Sequence, residues 1–318
     1  EINENKTFSV LSNPEFLSEG NAVNDLQYPD RVLIGGDDEK AIETLSDIYS
    51  NWVPNEKILR TNIWSAELSK LTANAFLAQR ISSVNSISSL CEITGADISQ
   101  VCQAVGMDSR IGNKFLSPGP GFGGSCFQKD ILNLVYLCNF YKLEEVANYW
   151  QSVLEINNWQ KSRISKIIVN YLFGNVSGKN ISILGFAFKA NTNDTRQSPC
   201  ISICRDLIEE GANLFIYDPK VENDKIHQEL ADQNINDSNN DYGSWKICSS
   251  VKESALKSDA IVILTEWKEF YNINWHELFI LMRKPSWIFD TRKCINYKNA
   301  KKAGFNIWEI GNSPLINK

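Results

Sequence analysis

Within the stretch Ser117-Pro118-Gly119-Pro120-Gly121-Phe122-Gly123-Gly124-Ser125-Cys126-Phe127-Gln128-Lys129-Asp130, a thiol, an ammonium group and a carboxylate lie close together. Phe127, Ile131, Leu134, Val135 and Cys138 recur at helical spacing, and Ser125 is a suitable N-cap before them. Cys126 is thereby expected at a helix N-terminus. There the free amides, the positive end of the dipole and Lys129 favour the thiolate, the form that attacks carbon. Asp130, at i+4, shares a helix face with the sulfur, so a nucleophile and a base are adjacent. The four glycines and two prolines from Pro118 to Ser125 cannot continue a helix or a strand. They predict a tight loop whose backbone a ligand can approach closely.

Two plainer readings compete with this one. Gly119, Gly121 and Gly124 spell the G-x-G-x-x-G of a dinucleotide-binding turn, but Ile111-Gly112-Asn113-Lys114-Phe115-Leu116 before them is too short and polar to be the required strand. The other is a buried cysteine without chemistry, the usual state of a free thiol.

The supporting elements follow from the patterning. From about Thr61 a long helix is predicted, with Leu68, Leu71, Ala75, Ala78, Ser82, Asn85 and Ser89 as a stripe of small residues. Phe76, Ile87 and Leu90 lie opposite, so this helix is expected to be enclosed on most sides. Lys70 and Asn74 share one of its faces; a lysine there must be paired, face a ligand cavity or reach water at the rim. Helices at Ile98–Val105, Phe127–Asn139 and Leu143–Tyr171 make the middle third all α. Before it, Phe8–Ser12 and Arg31–Ile34 read as strands and Asp37–Ser50 as a helix, with Asn13–Gly20 a turn carrying Glu15 and Glu19. Beyond Gly174–Asn180, strand and helix alternate through Ile181–Leu184, a helix at Pro199–Glu210 capped by Ser198, Leu214–Tyr217, Ala260–Leu264, Trp287–Phe289 and Phe305–Trp308. The fold class is α/β, with a doubly wound parallel sheet last. Val221–Gly243 reads as a surface loop with one short helix. Lys189, Arg196 and Arg292 fall at carboxyl ends of strands and form either a phosphate clamp or simple pairs with Asp194 and Asp290.

With 318 residues the chain has room for about two domains, and 43% hydrophobic content supports packed cores. Eight cysteines without C-x-x-C spacing read as reduced cytosolic thiols rather than disulfides or metal ligands. Only two histidines, His227 and His276, are present; both read as structural, which argues against histidine-dependent catalysis. A net charge of −6 and a pI near 5.2 speak against nucleic acid as a partner, and no apolar run approaches a membrane span. The first residue is Glu rather than Met, so the chain is expected to be part of a longer one.

Five segments carry a resemblance: Asn13-Pro-Glu-Phe-Leu-Ser-Glu-Gly20, Glu67-Leu-Ser-Lys-Leu-Thr-Ala-Asn-Ala-Phe-Leu-Ala-Gln-Arg80, Gly121-Phe-Gly-Gly-Ser-Cys-Phe-Gln-Lys-Asp130, Gly185-Phe-Ala-Phe-Lys189 and Phe289-Asp-Thr-Arg292. In this order, over nearly the whole chain, they resemble the UDP-glucose 6-dehydrogenase family, closest to its animal members. The resemblance implies that residues 1–60 are the C-terminal remnant of an NAD-binding domain. It makes 61–173 a helical dimerisation domain and 174–318 a UDP-sugar-binding domain. It further implies NAD as cofactor, UDP-glucose as substrate, a dimer-based homo-oligomer, a cytoplasmic location and two successive oxidations of a primary alcohol to a carboxylate. Cys126 would be the nucleophile of a thiohemiacetal and then a thioester, with Lys70 and Asn74 stabilising the oxyanion, Asp130 positioning or activating water and Glu15 serving as acid/base. Substrate contacts would come from Phe16, Leu17, Arg110 reaching into a neighbouring subunit, Ser117, Pro118, Gly119, Gly121, Phe122, Gly123, Phe188, Lys189 and Arg292. NAD would touch Glu19, Cys126, Phe127, Gln128, Lys129 and Arg196; no metal is implied.

Departures are expected as well. In the family the strand-turn-helix with the dinucleotide fingerprint, and a threonine that assists thioester hydrolysis, precede the present Glu1, and a C-terminal tail follows the present end. Ser117-Pro-Gly-Pro120 replaces another small-residue sequence. The enzymatic alternatives act on GDP-mannose or a UDP-hexosamine; the non-enzymatic one is a UDP-sugar-binding or assembly protein. Joint retention of Glu15, Lys70, Asn74, Cys126 and Asp130 favours an enzyme, because a binding module has no use for the thiol. The chain alone is expected to bind UDP-glucose and not to reduce NAD.

Overall fold

Short apolar runs separated by helical patterns dominate the sequence beyond Asn180, and such runs are stable only where helices cover both faces of a sheet. The computed structural model, which describes residues 8–231, 243–314 and 316, shows that arrangement. Strands β3 (Asn180–Leu184), β4 (Asn213–Tyr217), β5 (Ser244–Ile247), β6 (Ala260–Ile263), β7 (Trp287–Asp290) and β8 (Asn306–Glu309) form one all-parallel sheet. Its order is β5-β4-β3-β6-β7-β8, so the domain's own strands run 3-2-1-4-5-6, the doubly wound Rossmann order. The central strands β3, apart from half-buried Asn180, and β6 are buried, whereas edge strand β5 alternates exposed and half-buried residues. That short, half-polar pattern is why Ser244–Ile247 does not read as a strand from sequence.

Helix α7 (Pro199–Glu209) starts where Ser198 accepts a hydrogen bond from the Cys200 amide and Pro199 fills the first turn. Helices α8 (Asn223–Leu230), α9 (Val251–Ala255), α10 (Trp275–Leu281) and α11 (Tyr297–Ala303) complete the domain. Of the loop expected over Val221–Gly243, α8 is the short helix; residues 232–242 lie outside the described residues.

The chain divides into two compact units, Glu1–Phe76 and Leu77–Lys318. In the first, α1 (Ala22–Gln27) precedes β1 (Val32–Gly35), α2 (Glu39–Ser50) and β2 (Ile58–Thr61), and β1 and β2 pair in parallel. Val32, Ile34, Ile42 and Val53 form its small core. The strand expected at Phe8–Ser12 reduces to one antiparallel bridge, Ser12 with Gly35, with Phe8 and Val10 exposed. A β-prone sequence makes no strand without a partner edge, and none is offered to residues 8–11 among the described residues.

Helix α3 (Ile63–Thr94) is followed by α4 (Ile98–Gly106), α5 (Phe127–Phe140) and α6 (Glu144–Tyr171). The small-residue stripe of α3 is buried at Ala75, Ala78, Ser82 and Asn85, but Phe76, Ile87 and Leu90 are 54%, 44% and 55% exposed. The expectation that α3 is enclosed on most sides therefore fails for the single chain. Besides the small face, Val84 and Cys91 are covered by packing with Ile98, and in the second unit Ser82 Oγ donates to the Val153 carbonyl of α6 at 2.8 Å.

At the end of β3 the backbone of Gly185 has φ +92°, and an added Cβ would sit 2.4 Å from Thr265 Cβ. Gly185→Ala is therefore expected to cost at least about 2 kcal/mol from combined strain and overpacking. Urea denaturation checks this; an unchanged midpoint would show that the turn is not so constrained.

Candidate functional site

The thiol lies at the end of a loop that is held from behind. Helix α5 begins at Phe127, so the position whose carbonyl takes the first helical bond is Cys126, which accepts from the Asp130 amide at 2.9 Å. Ser125 thus stands one residue too early to be the N-cap expected from sequence; its Oγ lies 3.6 Å from Cys126 Sγ. Cys126 is exposed, and Phe127 packs edge-on to Phe122 at 5.8 Å.

The preceding loop, residues 117–124, makes its backbone contacts with buried amide side chains. Gly119 N donates to Asn85 Oδ1 at 2.8 Å and Gly119 O accepts from Gln160 Nε2 at 2.9 Å. Phe122 N donates to Asn157 Oδ1 at 2.8 Å and its carbonyl accepts from Asn157 Nδ2 at 3.2 Å. Asn85, Asn157 and Gln160 are at most 2% exposed. Sequence reasoning took Asn85 for a small stripe residue and passed over Asn157 and Gln160. The signal was present, since amides on helix faces that are otherwise buried must find polar partners.

A second loop, 188–197, closes against the first: Gly124 N donates to Arg196 O at 2.8 Å, and a Cβ on Gly123 would sit 2.6 Å from Gln197 O. Only glycine permits that approach. Arg292 joins them. Its Nε donates to Leu264 O at 2.8 Å, its Nη2 to Phe188 O at 3.1 Å, and its Nη1 is 3.3 Å from where a Gly119 Cβ would be. Glu266 Oε2 lies 3.1 Å from Arg292 Nε as an ion pair without hydrogen-bond geometry. Arg196 takes the plainer course, bidentate to Asp194 at 2.8–3.0 Å. Lys189 Nζ is 5.6 Å from the Phe188 ring centroid. The structure thus brings Phe188, Arg292 and the glycine loop together, with Arg196 present through its backbone.

Asp290, fully buried at the end of β7, accepts from the amides of Arg292, Cys294 and Ile295 at 2.9, 2.8 and 3.1 Å, and so fixes the turn from which Arg292 projects. Asp218, at the end of β4, accepts from the amides of Phe186, Ala187, Lys220 and Val221 and from the Trp267 indole at 2.7–3.1 Å. Neither anchoring role was legible beforehand.

In the first unit, Lys70 Nζ donates to the Glu15 carboxylate at 2.9 Å and to the Glu15 carbonyl at 2.6 Å, and Glu15 accepts from the Leu17 amide at 2.6 Å. Lys70 is thus the paired lysine among the three alternatives. Burial raises the Glu15 carboxyl, but the Lys70 and Leu17 hydrogen bonds and the Lys70 charge outweigh it and leave its pKa below the ordinary value. Phe16 lies under the Arg31 guanidinium at 3.8 Å, a partner not foreseen. Asn74 is buried and Glu19 exposed. In the second unit Arg110, 87% exposed, is held by Asp108 at 2.6 Å.

Family models match all three parts of the chain: "UDP-glucose/GDP-mannose dehydrogenase family, NAD binding domain" over 1–53, "central domain" over 64–159 and "UDP binding domain" over 182–297. UDP-glucose 6-dehydrogenase of Drosophila melanogaster is 52% identical over 96% of this chain and 65% of its own length. UDP-glucose 6-dehydrogenase 2 of Arabidopsis thaliana is 50% identical over 97% and 67%. The chain belongs to the UDP-glucose/GDP-mannose dehydrogenase family. A solved UDP-glucose dehydrogenase of this family, from Pyrobaculum islandicum, superposes with a TM-score of 0.82 at 31% identity, covering 96% of this chain and 64% of that one. The chain thus spans about two thirds of the length of these family members. Among the described residues, no helix is long and apolar enough to cross a membrane.

Burial is the main cause that raises Asp290 to about 6, with the Arg292 amide lowering it, the Glu309 charge raising it and the Ile295 and Cys294 amides lowering it. A carboxyl raised in the folded state stabilises below its unfolded value and loses that contribution as pH rises through about 6. The wild type should therefore gain about 2 kcal/mol on Asp290→Asn between pH 7 and pH 4. Paired denaturation curves at both pH values test it, and a pH-independent difference would reject it.

Proposed function

We propose that the chain is the substrate-handling part of a dehydrogenase that oxidises UDP-glucose to UDP-glucuronate in two NAD-dependent steps. The observation that carries this is Cys126: an exposed thiol directly before a helix, at the end of a glycine loop fixed by three buried amides. Such a thiol, its proton passed to a base, adds as thiolate to an aldehyde carbon, forming a C–S bond while the carbonyl oxygen becomes an alkoxide; loss of hydride from that carbon gives a thioester, and water cleaves it to the carboxylate and the free thiol with release of a proton. NAD supplies the hydride acceptor for each oxidation.

Lys70 and Asn74 suit the developing oxyanion, a cation and an amide donor held by their surroundings. Glu15, kept ionised by Lys70 and Leu17, is the acid/base group, and Asp130 orients or activates water. Phe16, Leu17, residues 117–119 and 121–123, Phe188, Lys189 and Arg292 hold the nucleotide sugar, with Arg110 extended toward a neighbouring subunit. Glu19, Cys126–Lys129 and Arg196 would hold NAD; the amides opening α5 and an exposed Arg196 guanidinium, 62% accessible, fit an anionic dinucleotide.

Domain limits at residues 60 and 173 belong to the same proposal, as does a dimer-based oligomer. The exposed Ile87, Leu90, Tyr136 and Phe140 support the latter. Eight free thiols support a cytoplasmic location.

In the enzyme, Cys126→Ser is expected to abolish acid formation and to leave UDP-glucose affinity largely intact, since the residue acts on the reacting carbon; stopped assays for UDP-glucuronate with calorimetry decide, and wild-type rates would sink the assignment. Lys70→Ala should lower turnover by about 10² or more. A change confined to KM would make Lys70 a binding residue instead.

A further inference from the structure

Lys161 of α6 is a buried cation that the chemistry above does not use. It is 7% exposed, and among the described residues its ammonium group makes no hydrogen bond, ion pair or other charge contact, while its backbone carbonyl accepts from Ser165 Oγ at 3.5 Å. Burial alone pushes its pKa down from the ordinary lysine value. An unpaired buried ammonium is costly, so its retention calls for a counter-charge that arrives from elsewhere.

The neighbouring acidic groups are already engaged. Asp206 takes the Ser165 hydroxyl at 2.6 Å, and Glu92 is paired with Arg163 and accepts from the Gly311 amide. Nor does Lys161 hold the backbone of Gly119 and Phe122, whose amides and carbonyls are met by Asn85, Asn157 and Gln160. Its stem lies against that loop, with Cγ 3.4 Å from where a Gly121 Cβ would be. On the same loop Arg292 Nη1 is 3.3 Å from the corresponding position at Gly119. Two cations therefore flank one stretch of glycine-loop backbone, Arg292 partly exposed and Lys161 more deeply buried.

We infer that Lys161 is a second, buried cation of the nucleotide-sugar site, its charge balanced by the ligand's diphosphate when the site is filled. This rests on the nucleotide-sugar reading of the loop. In a low-dielectric surrounding the charge acts on the diphosphate more strongly than an exposed lysine would, and it adds affinity for the charged part of the ligand rather than for its base.

Calorimetric titration of this chain with UDP-glucose and with uridine tests the inference, using Lys161→Met and Lys161→Arg. Met keeps the length and apolar stem, so the fold should be retained with an unchanged or higher melting temperature. UDP-glucose affinity is expected to fall by at least about tenfold in the Met variant and to be largely restored by Arg, with uridine affinity within about twofold throughout. Unchanged UDP-glucose affinity in the Met variant would overturn the inference, as would equal losses for UDP-glucose and uridine, which would mark a disturbed loop. Failure of the unaltered chain to bind UDP-glucose would instead overturn the nucleotide-sugar reading, and this inference with it.

Discussion

A glycine- and proline-rich loop has no ladder of its own, yet its backbone groups cannot be left unpaired where water is excluded. Here the debt is met by three amide side chains, Asn85 from α3 and Asn157 and Gln160 from α6, which reach the loop at 2.8–3.2 Å. Much of the second unit can be understood from that constraint. The two long helices must run close enough for both to contact residues 119–122, which the small face of α3 allows. The loop then ends in a fixed place, and Cys126 with it.

The sheet supplies the opposing surface. Its central strands are largely buried, so chemistry is confined to the turns at their carboxyl ends, and those after β3, β4 and β7 are tied down by acidic residues. Asp290 gathers three amides after β7, and Arg292 is aimed by that turn at carbonyls 264 and 188. Precision in the cation is thus inherited from a buried carboxyl group beneath it.

How much was legible beforehand follows from the same physics. The position of the thiol, its helix and the loop were readable because glycine, proline and helical spacing are local signals, and α7 was readable down to its cap because Ser198-Pro199 states it outright. The parallel sheet was readable because strands buried on both faces are continuous apolar runs. Edge strand β5, the two-stranded pairing of β2 and the short helices α9 to α11 were not, since they are brief and half-solvated. Asn157, Gln160, Asp218 and Lys161 escaped for another reason: their roles depend on partners 31 to 49 residues away, or, for the Lys161 ammonium, on having none among the described residues. The exposed side of α3 was misjudged because an apolar residue reads alike whether its own chain covers it or not.

Asp218 has a consequence for discrimination between ligands. In a sheet of this order the amides of the first turn are where a dinucleotide's diphosphate would rest, but here those of Phe186 and Ala187 already donate to Asp218 at 2.7 and 3.1 Å. A phosphate approaching them meets a carboxylate of like charge with its donors spent. This turn therefore keeps its amides for a residue of its own domain, and Arg292 projects from a different turn, after β7.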